Sequence, residues 1–352
     1  MSNSDNKPQI LVVLTGGTIC SSTNEEGHRY SNANDVKIID HFNNQKKEHC
    51  SPFCDQVRFE RRIPLDILSE NMTVARWNDL LNDLKKVQWN QYKGVIILHG
   101  TDTLAYTSSL LSIALAGIPI PVCLVSSQLP LDHKDTNGHA NFRASVELIM
   151  NGIAPNVYAV YRNSNGVIYA HYGAELMQCA NYSDDFFSKS MDTMVADSKN
   201  AQLAGKPFET DALLLDKLQS LSSTVLRLVP YVGLDYETIR LDNVRAVVHG
   251  TYHSQSVCVE RSKGAGDYGN CSILKLIDRC NQRNIPVILA PCSPEAFKYE
   301  STGDALNHGA MYVYGMTNEM AYVKTLIGCA LYSDRKDLEA FVGSRINHEI
   351  LY

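Results

Sequence analysis

Short apolar runs alternate along this chain with longer segments in which apolar side chains recur at helical spacing. Four runs rich in Val and Ile predict β-strands, at residues 10–14, 94–98, 120–125 and 157–161. Two segments between them carry apolar side chains on one face and predict helices, at residues 73–87 and 103–116. Strands that alternate with crossover helices are typical of parallel sheets, so the pattern predicts the α/β fold class.

The same alternation restarts in the last third of the chain. Strands are predicted at residues 225–229, 244–249 and 287–290, and helices at residues 273–283 and 319–331. From residue 190 to residue 222 the chain is largely polar and shows no clear strand, which is typical of a linker. We therefore predict two α/β domains with mainly parallel sheets: a larger N-terminal domain at 1–193, a linker at 194–222 and a smaller C-terminal domain at 223–352.

Length and composition agree with an ordinary folded protein of about two domains. The chain has 352 residues, of which 44% are hydrophobic and 20% charged, and its formal net charge is -6. A net negative chain without a lysine- or arginine-rich window argues against nucleic acid as a partner. The polar start leads into an apolar run too short for a signal peptide or a membrane span, so we expect a cytoplasmic protein without membrane attachment.

The ten cysteines are scattered, and only Cys50 and Cys54 stand close together. Because no second pair lies at a zinc-like distance, the spacing predicts no metal site. We expect mostly reduced thiols. No cofactor is predicted either: the pair Gly16-Gly17 lacks the third glycine of a dinucleotide fingerprint, and the chain has no phosphate-loop ending.

The first candidate site is the segment Thr15-Gly16-Gly17-Thr18, which follows the first predicted strand. In parallel sheets, ligands bind beyond the carboxyl ends of the strands. Paired glycines allow a tight turn and a close backbone approach to a ligand, with Thr18 facing the cleft. The alternative is a strand-ending turn with a capping threonine.

A second segment has the same design. The strand at residues 94–98 runs into His99-Gly100-Thr101-Asp102-Thr103, which offers a hydroxyl at Thr101 and a carboxylate at Asp102. Either residue also suits a helix N-cap. Two such loops from one sheet meet at one edge, which favours a functional site over two unrelated caps.

Together, the two motifs resemble the signatures of bacterial-type L-asparaginases and glutaminase-asparaginases. Further similar segments are Ser69-Glu70-Asn71-Met72-Thr73 and Ser126-Ser127-Gln128-Leu129-Pro130. The resemblance covers most of the chain. It implies two α/β domains, assembly as a homodimer or homotetramer, and a small amino-acid amide as substrate.

Carried over onto matching positions, the resemblance implies the catalytic roles. Thr18 becomes the nucleophile that attacks the side-chain amide and leaves a covalent acyl-enzyme for water to hydrolyse. Thr101 becomes the second catalytic hydroxyl, with nearby backbone N–H groups stabilising the oxyanion, and Asp102 becomes a partner of the substrate's α-ammonium.

The resemblance also implies the substrate-binding positions. Ser69 and Glu70 fall where the family holds the α-carboxylate and α-ammonium of the substrate, and Gly100 lies beside them in the second motif. A carboxylate at Glu70 favours an ammonium group over a carboxylate.

Two departures from the family pattern concern activation of the threonines. The family uses a tyrosine on a loop after the first motif, where this chain offers His28 or, two residues on, Tyr30; we choose Tyr30. The family also uses a relay lysine, expected here at or beside Leu176, but no lysine occurs between Lys134 and Lys189.

The missing lysine makes this chain a divergent member of the family, and it leaves the activating base open. Glu175 or His171 is a candidate substitute. We therefore expect an amidohydrolase acting on L-asparagine or a related amino-acid amide. The alternatives are an amidase for a substituted asparagine or an amino-acid conjugate, and an amino-acid-binding protein with impaired turnover.

Overall fold

The computed structural model describes residues 7–23, 26, 29–33, 37–44, 51–190, 194–195, 205–210, 213–261, 268–294, 296 and 299–350. The chain divides into two units, residues 1–216 and residues 217–352. Part of the predicted linker at 194–222 lies outside the described residues, and its limits, like those of the predicted domains at 1–193 and 223–352, stay a prediction.

The first unit is built on a seven-stranded sheet with the strand order β4-β1-β5-β6-β7-β8-β9. Its strands are β1 (Gln9–Leu14), β4 (Arg58–Arg62), β5 (Gly94–Leu98), β6 (Val122–Val125), β7 (Val157–Arg162), β8 (Ile168–Tyr172) and β9 (Met194–Val195). The strands from β4 to β7 pair in parallel, whereas β8 and β9 are antiparallel to their neighbours. A small antiparallel hairpin, β2 (Ser21–Thr23) and β3 (Arg29–Ser31), follows β1.

The strand β9 corrects the expectation that residues 190–222 contain no strand. It pairs with Tyr169 and Ala170 of β8 over two residues only. Such a strand is created by pairing with a distant segment rather than by a local apolar pattern, so no periodicity reveals it.

The helices of the first unit cover a sheet whose central strands are fully buried. They are α1 (Ile38–Asn43), α2 (Val74–Leu84), α3 (Leu104–Ala114) and α4 (Gly138–Met150). Every residue of β5 and β6 is buried, as expected for parallel strands covered on both faces. Helix α2 is amphipathic and buries Trp77, Leu80, Leu81 and Leu84, while the side chain of Thr73 caps its first turn.

The second unit has a four-stranded parallel sheet in the order β10 (Val225–Leu228), β11 (Ala246–His249), β12 (Val287–Cys292) and β13 (Met311–Tyr314). Its helices are α5 (Ile273–Asn281), α6 (Glu300–Asn307), α7 (Asn318–Leu331) and α8 (Arg335–Gly343). Its core is formed by apolar side chains of α5 packed on β11 and β12, among them Leu274, Ile277 and Val287. The predicted α/β class with mainly parallel sheets is therefore confirmed for both units.

Eight cysteines of the described chain are free, and Cys54 is disulfide-bonded. The expectation of mostly reduced thiols therefore agrees with the described cysteines, with Cys54 as an exception. Across the helices of the described ranges, none combines the length and the apolar character that crossing a lipid bilayer requires.

Candidate active site

The two motif loops leave adjacent strands at the same edge of the first sheet. Leu14 at the end of β1 pairs with Leu98 at the end of β5, and both strands run in the same direction. The backbone N–H of Thr15 donates to the Leu98 carbonyl at 3.0 Å, and the Thr15 hydroxyl donates to the same oxygen at 2.9 Å. Thr15 is buried and is therefore a structural residue that ties the two loops together.

Two glycines allow these loops to touch backbone to backbone. Gly17 has φ 78 and ψ -178, a conformation in which side chains are strained. A Cβ placed on Gly17 would stand 2.3 Å from the Cα of Gly100, and one on Gly100 would stand 2.3 Å from the Ser69 hydroxyl oxygen. The approach of the two motifs thus requires glycine on both sides.

A third segment joins this contact from the loop after β4. Gly17 N–H donates to the carbonyl of Ile67 at 2.8 Å, and Ile67 N–H donates to the carbonyl of Thr15 at 3.2 Å. The Asp66 carboxylate accepts from the Ser31 hydroxyl and from the Ala33 N–H, which fixes the end of the β2–β3 hairpin to the same loop.

Thr18 begins a short 3-10 helix, Thr18–Cys20, and is partly buried. The N-cap position of that helix is Gly17, and no side chain caps it. The interpretation of Thr18 as a capping residue is therefore wrong. Thr18 directly follows Gly17, the glycine that contacts the second motif, so its hydroxyl is held next to that contact.

The second motif does not cap a helix with Thr101 or Asp102 either. Helix α3 begins at Leu104, and its N-cap position, Thr103, makes no side-chain capping bond. Instead, the Thr103 hydroxyl donates to the carbonyl of Ser69 at 2.9 Å. Thr101 is partly buried and Asp102 is exposed, so both side chains are available at this edge of the sheet.

Ser69 and Asp102, which the sequence placed in one site, are in direct contact. The Ser69 hydroxyl donates to the Asp102 carboxylate at 3.2 Å, and the Asp102 N–H donates to the Ser69 oxygen at 3.2 Å. Gly100 is buried against Ser69. Glu70 is exposed on the short helix Ser69–Asn71, one residue from this contact.

Tyr30 lies on β3, opposite Ser22, and its side chain is 48% exposed. Among the described residues no hydrogen bond joins it to Thr18, so its role in catalysis stays a prediction. The competing residue, His28, lies outside the described residues.

The candidate substitutes for the relay lysine, Glu175 and His171, are buried and make hydrogen bonds with Ser190 and Ser188. Leu176 is fully buried and forms a β-bridge with Ser188. Glu175 is buried and accepts a hydrogen bond from the Ser190 hydroxyl. His171 is buried with Nδ1 against the Ser188 hydroxyl at 2.8 Å, and burial lowers its pKa to about 4.

The side chain that reaches the second motif from this segment is Gln178, which sequence reasoning missed. Its Nε2 donates to the carbonyl of Asp102 at 2.7 Å, while its Oε1 is buried without a partner among the described residues. The only sequence signal was its position two residues after Leu176, in the segment where the lysine was expected.

A cavity of about 270 Å³ opens beside this contact. It is lined mostly by polar side chains from the second motif, from the ends of β6 and β7 and from the segment after Gln178: Thr101, Asp102, Gln128, Tyr161, Gln178, Cys179, Ala180, Asn181, Tyr182, Ser183, Asp184 and Phe186. In the described part of the chain, no group of three or more His, Cys, Asp or Glu residues is arranged to hold a metal ion.

His171 predicts a pH dependence of stability. Its pKa in the folded chain is about 4 against an ordinary value of 6.5, so its contribution is complete above pH 6.5 and is lost as pH falls towards 4. We expect this histidine to lower the free energy of unfolding by up to about 1.4 kcal/mol per pH unit as pH falls through that window. Urea unfolding at several pH values should show that the free energy of unfolding falls less steeply with falling pH for His171→Asn than for the wild type. His133→Asn, at an exposed position, should show the same pH dependence as the wild type. Identical slopes for wild type and His171→Asn would contradict this prediction.

A family model, curated relatives and solved structures match this chain. A family model described as "Asparaginase, N-terminal" matches residues 9–207. The L-asparaginase of Thermococcus kodakarensis is 27% identical over 356 aligned residues, which cover 97% of this chain and 99% of the relative. The solved structure of the thermostable L-asparaginase from that organism has a TM-score of 0.71 at 22% identity and covers 97% and 99% of the two chains. L-asparaginase I from Vibrio cholerae has a TM-score of 0.68 at 18% identity, with 98% and 99% covered.

Proposed function

We propose that this chain, which belongs to the asparaginase family, hydrolyses the side-chain amide of L-asparagine or of a closely related amino-acid amide. The observation that supports this best is the backbone contact between Gly17 and Gly100, which brings the Thr18 loop and the Thr101–Asp102 loop together at one edge of the sheet. Two hydroxyls and a carboxylate at such an edge suit acyl transfer.

In the proposed reaction, the Thr18 hydroxyl attacks the amide carbon and forms an ester. The hydroxyl proton passes to the amide nitrogen, which leaves as ammonia, and water then cleaves the ester to give the free acid and restore Thr18. Thr101 supplies the second hydroxyl beside the reacting group. Backbone N–H groups at the contact of the two loops are suited to stabilise the oxyanion.

The proposed substrate contacts use the pair formed by Ser69 and Asp102. The Asp102 carboxylate is exposed and attracts an α-ammonium, while the Ser69 hydroxyl, held against it at 3.2 Å, orients that carboxylate and lies within reach of an α-carboxylate. Glu70, one residue on, adds a second negative charge that favours the ammonium end of the substrate.

Trapping the acyl-enzyme tests this proposal directly. With asparagine and hydroxylamine, the wild type is expected to form β-aspartyl hydroxamate along with ammonia and aspartate, because hydroxylamine competes with water for the ester. Mass spectrometry after acid quenching should place the acyl group on the peptide that contains Thr18. Turnover without any hydroxamate or acylated peptide would argue against the covalent route.

One observation favours a second candidate, an amino-acid-binding protein with impaired turnover. No lysine stands between Lys134 and Lys189, and Gln178, which reaches the Asp102 loop instead, has an amide that does not act as a base. Calorimetric titration with asparagine and aspartate separates the two functions. Binding without Thr18-dependent ammonia release would favour the binding protein.

A further inference from the structure

The cavity beside Asp102 is larger than the proposed contact with an α-ammonium group needs. Its volume is about 270 Å³, whereas a cavity that holds one water-sized group needs about 10–15 Å³ on the same measure. It extends from Thr101 and Asp102 to Asp184. The space beyond Asp102 therefore has room for a further part of the substrate.

The charge of this cavity favours cations. Asp102 and Asp184 both line it, and none of its described lining residues is a lysine, arginine or histidine. The thiol of Cys179, which also lines it, has a pKa raised first by burial and then by the negative charges of Asp184, Asp185 and Asp102. Two carboxylates in the cavity lining attract a positive group and repel an anionic one.

Gln178 adds an oriented acceptor to the same wall. Because its Nε2 donates to the Asp102 carbonyl at 2.7 Å, its Oε1 is fixed on the other side of the amide. That oxygen is buried and has no partner among the described residues. A buried acceptor of this kind is costly unless a ligand or water donates to it, so the wall is suited to an N–H donor.

The wall is also held in place. The N–H of Met177 donates to the carbonyl of Phe187 at 3.0 Å, and Asn163 exchanges two hydrogen bonds with the backbone of Phe186, at 2.9 and 3.1 Å. The Cys179 thiol donates to the carbonyl of Ser183 at 2.9 Å. These bonds fix the segment between Gln178 and Phe186, so the acceptors have defined positions before a ligand enters.

The position of the cavity decides which part of the substrate it faces. Thr101 and Asp102 line it, but Thr18 does not. The leaving amine is bonded to the carbon that Thr18 attacks, whereas the α-nitrogen lies two carbons away from that carbon and faces Asp102 in the proposed function. Thr101, the proposed second hydroxyl, is compatible with either end of the substrate, so the assignment of the cavity to the α-nitrogen rests on Asp102, which lines it, and on Thr18, which does not.

We propose that this cavity binds a positively charged group carried on the α-nitrogen of the substrate, so that the chain accepts asparagine extended by an aminoacyl residue. This inference rests on the proposed function, because it uses Asp102 as the partner of the α-nitrogen. The substrate class is then a short peptide with asparagine in second position, recognised through its terminal ammonium by Asp184, Asp102 and the Gln178 carbonyl.

Three asparagine derivatives with the same side-chain amide test this inference. Glycyl-asparagine carries a terminal ammonium, acetyl-asparagine is neutral there, and succinyl-asparagine carries a carboxylate. We expect kcat/KM for ammonia release to be at least about tenfold higher for the glycyl than for the succinyl derivative, with the acetyl derivative between them. Equal values, or a preference for the succinyl derivative, would overturn the inference.

Matched charge variants locate the effect. Asp184→Asn is expected to reduce the glycyl-to-succinyl ratio about fivefold, and Asp184→Lys to reduce it further. Asp55→Asn removes the same charge from an exposed position just before β4, at the opposite end of the sheet, and should leave the ratio unchanged. An unchanged ratio in both Asp184 variants would count against the cavity as the source of the preference.

Two further measurements separate this inference from the proposed function. If the wild type releases no ammonia even from asparagine, the proposed function fails, and calorimetric binding of the glycyl and succinyl derivatives then decides on the cavity alone. Asparagine that carries a 2-aminoethyl group on its side-chain nitrogen tests the opposite placement. The inference would be overturned if the wild type preferred that compound, showed no preference for the glycyl derivative, and lost the preference in Asp184→Asn. The cavity would then be assigned to the leaving amine.

Discussion

Replacing Thr18 by alanine is expected to lower kcat/KM for asparagine by at least about 1000-fold while leaving the fold intact. The reason is that alanine lacks the hydroxyl that forms the proposed acyl-enzyme, and removal of a nucleophile has effects of this size or larger. Because Thr18 makes no capping bond in its short helix, the loss should not be accompanied by a large loss of stability. Coupled ammonia detection gives the rate, and circular dichroism with thermal unfolding verifies the fold.

Thr15 provides a control from the same motif. Its hydroxyl donates to the Leu98 carbonyl in the buried joint between β1 and β5, so Thr15→Val removes a structural bond at nearly constant volume. We expect this variant to lose about 1 kcal/mol of stability and to keep its activity within about tenfold. If Thr15→Val were inactive and Thr18→Ala active, the assignment of the nucleophile would have to be reversed.

The second large effect is expected from Gly17→Ala, which should lower both the stability of the fold and the activity. The new methyl group would stand 2.3 Å from the Cα and N of Gly100, and the backbone at φ 78 and ψ -178 strains any side chain. Overlap with backbone atoms cannot be relieved by a rotamer change, so we expect a loss of about 3 kcal/mol or more and at least about a 100-fold loss of kcat/KM. Urea unfolding and the ammonia assay measure the two losses.

Gly152→Ala is a control that separates the cost of a positive φ from the cost of overlap with neighbouring atoms. Gly152 also has a positive φ, of 81, but a Cβ there meets nothing within 4 Å. We expect this variant to lose about 1 kcal/mol and no activity, because only the conformational cost applies. If Gly17→Ala were no worse than Gly152→Ala, close contact between the two motif loops would not be a requirement of the site.

The elements that sequence patterns predicted are those whose apolar residues are buried by local, repeating contacts. The strand at residues 94–98 is found at Gly94–Leu98, and the helix at residues 319–331 is found at Asn318–Leu331. The edge strand Arg58–Arg62 was missed because four of its five residues are charged and it pairs with the sheet on one side only. Burial on both faces leaves a stronger pattern than an edge position does.

The candidate site divides in the same way. Loops that follow parallel strands of one sheet lie at the same edge, so the predicted parallel sheet was enough to predict that the two motifs meet. Gln178 was not, because its place beside Asp102 depends on the bridge between Leu176 and Ser188, two segments joined by tertiary pairing. A side chain delivered by such a pairing has no local periodicity that marks it.

The close contact between Gly17 and Gly100 has a consequence for redesign of this protein. The two motif loops leave no volume at that contact for any other residue, so a mutant library that includes it is expected to consist mostly of inactive clones. The cavity wall from Asn181 to Asp184 is exposed at three of its four residues, so exchange of charge and size is expected to be tolerated there. Saturation of that wall alone offers a route to enzymes with altered selectivity that keep their chemistry.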